Sequence, residues 1–266
     1  MQKPSAPIVL FLSVDIAGAT AYKVEHPASE EDDGWLDAFE KFFRLTPLRF
    51  LGRVAQAFMA QPEIPDTSVW RVLGDETIFI ARPRSPMEVQ QIIIAFLRTI
   101  HDCNETIMSE YELGVRGCVW AAQMSGRNRA IHIPEMHASY LDYLGPDVDT
   151  GFRISGFADA GEVSFSYNVL KALESLPPND LLRFRSLGTK VLKGVITHEP
   201  YPVVVSTAAD ALDGPPDSAG SDSAEADSSE ANPAQADSFS VADLMSTIRS
   251  EHPNTAALES GLIEFG

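Results

Sequence analysis

Residues 9–22 read VLFLSVDIAGATAY. The run from Ile8 to Val14 is apolar without alternation, the pattern of a strand covered on both faces rather than one lying on a surface. It stops on a single carboxylate, Asp15, and then on small residues, Ala17, Gly18 and Ala19. A buried strand that ends by aiming an acid at a glycine-containing turn either caps the next helix or presents a ligand group at a sheet edge. Small residues permit the second use, because they let backbone N–H groups and a helix N-terminus approach an anion closely, although the acid taken alone is more often a cap.

Working outward, residues 17–33 are polar and predict a loop. Residues 35–61 then place apolar side chains at helical spacing, with Pro47 marking a kink or a break. The stretch WRVLGDETIFIA, residues 70–81, has two β-type runs around Gly74-Asp75. Such a pair signals a two-residue hairpin, since glycine accepts the positive φ the turn needs. Asp75 is therefore predicted at a hairpin tip. A helix follows over about 86–111, then a strand at LGVRGCVWAA (113–122), a loop-rich stretch over 123–148 and a helix over 149–159 ended by Gly161. A strand EVSFS, a helix near 167–175 and a β-rich close through Val205 complete the pattern. The order predicts an α/β sandwich, helices packed over one mixed sheet, with no internal repeat.

Composition bounds the function. The chain of 266 residues carries a formal charge of −18. Residues 206–266 hold 12 Asp and Glu against one Arg, a net of −11, which leaves −7 for residues 1–205. A chain of that sign repels polyanions, so neither nucleic acid nor an anionic membrane is expected as a partner. The two cysteines, Cys103 and Cys118, are expected reduced and packed. No signal-peptide pattern is read at the N-terminus and the apolar run at 92–97 is too short to span a bilayer, so the expected location is the cytoplasm. Residues 206–237 are rich in Ser, Ala, Asp and Pro and lack large apolar residues, the composition of a disordered acidic linker after a domain at 1–205. In the last segment, 238–266, Val241, Leu244, Met245 and Ile248 share one helical face and Ser240 with Asp243 suits a helix start. A docking peptide and a marginal, mostly unfolded end both fit, and the second is the leading expectation.

Two aspartates with oxygen-only chemistry, Asp15 and Asp75, suit Mg²⁺ or Mn²⁺ bound together with phosphates. Taken singly, either fits a cap or a turn. Around them, VLFLSVDIAGATAY resembles the first metal-site motif of class III nucleotidyl cyclases, and WRVLGDETIFIA resembles the hairpin bearing their second metal aspartate. DYLGPDVDTGFRISGFADAGEVSFS (142–166) is similar to the family stretch in which a base-contacting Asp precedes an Asn by seven residues and an Arg by eleven. Asp142, Asp149 and Arg153 hold those positions here. LGTKVLKGVITHEPYPVV (187–204) resembles the family's closing strand pair.

The resemblance implies a ferredoxin-like cyclase sandwich with a mainly antiparallel mixed sheet. It further implies two divalent cations on Asp15 and Asp75, Ala17 and Gly18 beside the phosphates, Arg153 stabilising charge on the α-phosphoryl oxygens, and Lys193 within reach of the terminal phosphates. It implies a homodimer with composite active sites, the aspartates from one subunit and the arginine and base-reading residues from the other. Two departures mark this chain. The position four before Asp75, a lysine in adenylate cyclases, is Arg71, and the transition-state asparagine is Asp149; a guanidinium is no substitute for an amine at a hydrogen-bonding site, and an ionised carboxylate cannot donate. Both departures, and the short regulator-free core, resemble the pyrimidine cyclases of bacterial anti-phage signalling. Arg71 and Asp142 would then read a pyrimidine, with uracil preferred although cytosine, with its donor amine, suits the carboxylate equally well. Phe50 could fill space left by a smaller base, a helix-core place being its leading expectation, and the cyclic product would act on a separate effector protein. A purine cyclase, or a degenerate cyclase-like module that only binds nucleotide or a partner, is the alternative. His132, Glu135 and His137, lying close together in a loop, are expected to be solvated rather than a metal site.

Overall fold

A computed structural model describes residues 6–29, 32–135, 137, 140–194, 200–207, 239–251, 258 and 262–265. The predicted linker falls almost wholly on residues 208–238, outside the described residues; its first two positions, Ser206 and Thr207, are the end of a strand.

Seven strands form one sheet in the order β2-β3-β1-β4-β7-β9-β8. They are β1 (Ile8–Ala17), β2 (Thr67–Leu73), β3 (Glu76–Ala81), β4 (Gly114–Gln123), β7 (Glu162–Phe165), β8 (Arg185–Lys190) and β9 (Tyr201–Thr207). Every pairing is antiparallel except β4 with β7. The long apolar strand of the sequence thus sits at the centre, flanked by β3 and β4.

Both faces of β1 are covered, which is why its sequence does not alternate. Leu10, Leu12, Val14 and Ile16 face a layer of helices: α2 (Trp35–Ala57), α3 (Pro86–Cys103), α5 (Tyr167–Glu174) and α6 (Val241–Glu251). Val9 and Phe11 face a second cluster with Trp70, Ile78, Ile80, Trp120 and Tyr143, roofed by α4 (Pro146–Ile154) and a two-stranded sheet of β5 (Arg129–His132) and β6 (Leu141–Leu144). At the end of β1 this second face turns polar, at Ser13 and Asp15. The core therefore stops there and the sheet edge opens.

Several boundaries differ from the sequence reading. Pro47 lies inside a single helix, α2, which neither ends nor divides there. The stretch 17–33 contains a short helix, α1 (Ala19–Glu25), entered from Gly18 at φ +78°. The helix predicted over 86–111 is α-helical to Cys103 and continues as a π-helical turn and a 3₁₀ turn to Tyr111. The loop-rich stretch 123–148 contains β5 and β6, and α4 begins at Pro146, which supplies a helix N1 position. All four β5 residues are exposed, so no apolar alternation betrays that strand. Cys103 and Cys118 are free and buried; burial pushes the Cys103 thiol up to about 11, and both are packing groups.

Residues 239–251 of the last segment are docked, against the leading expectation of a marginal end. Leu244, Met245 and Ile248 are buried in the main core, Arg249 pairs with Glu174 of α5, and Phe239 exchanges backbone hydrogen bonds of 2.7 and 3.0 Å with Phe184. Ser240 Oγ accepts from the Asp243 N–H at 3.3 Å, capping the helix start.

Candidate active site

Three polar residues line up across the open end of the sheet. Asp15 pairs in register with Glu76 of β3 on one side and with Arg116 of β4 on the other, so the three continue the second face beyond its apolar side chains. The β2–β3 connection is the two-residue turn predicted from sequence, Gly74 with φ +65° and then Asp75, closed by the Leu73–Glu76 pair. The Asp75 carbonyl accepts from the Ile16 N–H at 3.3 Å, which ties the hairpin tip to the strand end carrying Asp15. The structure thus brings Asp15 and Asp75 together.

Arg116 was not apparent from sequence. Its Nε and Nη2 donate to the same oxygen of Asp15, Oδ2, at 2.9 and 2.8 Å, and its Nη1 donates to the Ala158 carbonyl at 3.4 Å. Oδ1 of Asp15 stays outside that ion pair. Burial pushes the Asp15 carboxyl above the usual carboxylate range; Arg116 offsets part of this and the charge of Asp75 adds to it. Glu76 is raised by the same causes: burial first, opposed by the hydrogen bond donated by Ser13, then reinforced by Asp15 and Asp75.

Carboxyls crowded into partly buried positions, with one guanidinium among them, are a donor set that a hard divalent cation fits. Among the described residues no group of three or more His, Cys, Asp or Glu side chains is arranged to enclose a metal by itself. A cation on Asp15 Oδ1 and Asp75 would complete its shell with water and ligand oxygens, the usual habit of Mg²⁺.

The crowding has a sign. A carboxyl whose folded value is raised binds a proton more tightly folded than unfolded, so stability is fully present below the unfolded value and is lost as pH rises through the folded one. Glu76→Gln is expected to melt about 2–4 °C above the metal-free parent at pH 7, the shift that 1 kcal/mol produces in a domain of this size. The difference should vanish near pH 4, where both side chains are neutral. Equal melting temperatures at pH 7 would show that Glu76 ionises without strain.

A second group forms beside β2. A bulge between Val69 and Arg71 gives β2 one extra residue opposite Ile78, and Trp70 and Arg71 both turn to the second face. Arg71 donates through Nη2 to Asp142 Oδ1 and through Nε to the Tyr140 hydroxyl at 3.3 Å, and its guanidinium lies 4.4 Å from the centre of the Trp70 ring. Arg71 and Asp142, which the family resemblance picked out as base-contacting positions, are thus an ion pair. Tyr140 and Trp70 are the neighbours that sequence did not reveal.

The third group is on α4. Gly151 lies against Trp120, where an added Cβ would come within 2.2 Å of the ring, so the helix is seated directly on the sheet. Asp149 and Arg153, one turn apart, point away from this seat and are exposed. Arg153 lies over Gly194, whose added Cβ would meet Nη2 at 3.6 Å, so the loop carrying exposed Lys193 borders it. Among the described residues no hydrogen bond or ion pair joins Arg153 or Asp149 to the Asp15 group. Ala17 is half-buried and Gly18 exposed at the turn after Asp15.

Phe50 is elsewhere, and this corrects the expectation that it shapes a base site. It is fully buried on the helix side of the sheet, edge-on to Phe79 at 4.8 Å and to Phe96 at 5.4 Å. An apolar position on an amphipathic helix is claimed by the core, on the face opposite Asp15.

The fold is similar to that of the catalytic domains of nucleotide cyclases. Among solved structures, the catalytic core of a rhodopsin-guanylyl cyclase with converted specificity, in complex with ATPαS, matches with a TM-score of 0.51 at 13% identity, over 77% of this chain and 97% of that one. The adenylyl cyclase CyaB from P. aeruginosa matches at 0.49 with 12% identity, over 77% and 95%. Adenylate cyclases from Trypanosoma brucei in their monomeric state match at 0.48 with 16% identity, over 77% and 91%. No family model matches the chain, and no curated protein does. Among the described residues no helix is long and apolar enough to cross a membrane.

Proposed function

We propose that the protein is a metal-dependent nucleotidyl cyclase that converts a pyrimidine nucleoside triphosphate, UTP, to its 3′,5′-cyclic monophosphate and diphosphate. The observation that carries the reading is the meeting of Asp15 and Asp75 at the open sheet end of a cyclase fold. In the reaction the ribose 3′-oxygen bonds to the α-phosphorus, the bond from that phosphorus to the bridging oxygen of the β-phosphate breaks to release diphosphate, and the 3′-hydroxyl proton passes to water. Two divalent cations, Mn²⁺ or Mg²⁺, would lower the barrier by activating the 3′-oxygen and neutralising the leaving diphosphate. Asp15 and Asp75 hold that charge in place. Ala17 and Gly18 admit the phosphates without a side chain in the way. Arg153, exposed on α4, would meet the α-phosphoryl oxygens of a nucleotide bound to another subunit, with Lys193 beside it.

That division makes the working unit a head-to-tail homodimer with two composite sites. Arg71 with Asp142 would read the base, and Asp149 would lie near the ribose. The role assigned to Phe50 passes to no residue of the core; the aromatic surface next to the base reader is Trp70. The product would serve as a second messenger for a separate effector in anti-phage defence.

Incubation with ATP, GTP, CTP and UTP in Mn²⁺, followed by product separation, tests the reading. Cyclic UMP is the expected main product. A purine product would overturn the pyrimidine assignment and keep the cyclase. No cyclic product from any of the four would favour a module that only binds.

A further inference from the structure

We infer that Tyr140 sets base selectivity at this site by locking the Arg71 guanidinium in one orientation, and that the locked site takes keto bases and rejects amino bases. The inference rests on the reading of Arg71 and Asp142 as the base-contacting pair.

An arginine guanidinium has two paired donor edges, Nε–Nη2 and Nη1–Nη2, and it can offer either unless it is held. Here it is held three ways. Tyr140 Oη accepts from Nε at 3.3 Å, Asp142 Oδ1 accepts from Nη2, and the Trp70 ring lies under the plane at 4.4 Å. Nε–H and the adjacent Nη2–H form one edge of the group, so Tyr140 and Asp142 together consume that edge. Each clamp is itself anchored. The Tyr140 N–H donates to His137 O at 2.9 Å and its carbonyl accepts from Ile133 N–H at 3.1 Å, while Asp142 Oδ1 also accepts from the Tyr143 N–H at 2.9 Å.

What remains is a fixed pattern. The Nη1–Nη2 end presents N–H groups and nothing that accepts, and Asp142 keeps Oδ2, which takes no part in those bonds, as an acceptor beside it. A keto oxygen next to a ring N–H, as in uracil or guanine, satisfies both. An amino group in the keto position, as in cytosine or adenine, brings donor against donor and leaves the guanidinium protons unpaired. Without the Tyr140 hydroxyl, Nε is freed and the guanidinium can swing about its own stem. Donor and acceptor then exchange places at small cost, and an amino base can be met.

Specificity constants for UTP and CTP test this in the parent, in Tyr140→Phe and in Arg71→Ala. The parent is expected to favour UTP. Tyr140→Phe should lower the UTP-to-CTP ratio about tenfold, chiefly by improving CTP, with an unchanged melting temperature and unchanged metal requirement. Arg71→Ala should remove the preference. An unchanged ratio in Arg71→Ala would overturn the base-reading assignment itself. A ratio that collapses in Arg71→Ala but holds in Tyr140→Phe would overturn only the role of Tyr140, whereas a parent that prefers CTP would overturn the keto-base selectivity and the UTP assignment with it. Where turnover is too slow, the same ratio is read from dissociation constants of the non-cyclisable α,β-methylene analogues of UTP and CTP, with the same outcomes deciding.

Discussion

Replacing Asp75 with alanine is expected to lower turnover by about 10³-fold or more while leaving the fold intact. The side chain sits at a two-residue hairpin tip whose geometry comes from Gly74 and from the Leu73–Glu76 pair, none of which needs a carboxylate. What Asp75→Ala removes is charge beside Asp15, and if that charge holds a cation, several kcal/mol of transition-state stabilisation go with it. The thermal midpoint in the absence of metal should stay level or rise slightly, because one source of repulsion on Asp15 and Glu76 is gone. The rise on adding Mn²⁺ should shrink. Retained turnover in Asp75→Ala would remove the proposed metal role; lost turnover with a collapsed fold would be uninformative, and Asp75→Asn, with nearly the same shape, separates the two.

That experiment depends on a contact which sequence made half legible. The hairpin was readable because a Gly-Asp turn between β-type runs has a specific backbone requirement, and the end of β1 was readable because an apolar run stops there. Their meeting follows from register, and register follows from the turn and from which residues are buried. Arg116 was not readable: it contacts Asp15 across 101 residues of sequence, and nothing local distinguishes it from an ordinary strand arginine. The same holds for Tyr140, which reaches Arg71 only because a bulge re-aims β2. Phe50 shows the opposite failure. Its helical spacing marked it as apolar-facing, but spacing does not say which face of the sheet the helix covers, and the helix covers the face away from Asp15.

Truncating Leu244 to alanine is expected to destabilise the protein by about 2–5 kcal/mol, the usual cost of emptying a filled leucine site in a core. The melting midpoint should fall by roughly 5–15 °C. A solvated helix end would shift by almost nothing, so the measurement asks whether α6 belongs to the fold. Three observations say it does: Leu244, Met245 and Ile248 are all within 1% of full burial, Ser240 caps the helix, and the Phe184–Phe239 backbone pair fixes its entry. The sequence showed the apolar stripe but not its receiving surface, because α5 and the edge of α3 assemble that surface only in three dimensions. Set against the gain is the entropy of closing the chain between Thr207 and Phe239. Even for a fully flexible link that cost grows only as the logarithm of length, about 0.6 kcal/mol per doubling, so three buried side chains outweigh it. The same arithmetic explains why an acidic, low-complexity stretch can be tolerated between β9 and α6. Exposed Ser246→Ala serves as the control and should leave the midpoint in place; a Leu244→Ala midpoint equal to that control would place the helix in solvent.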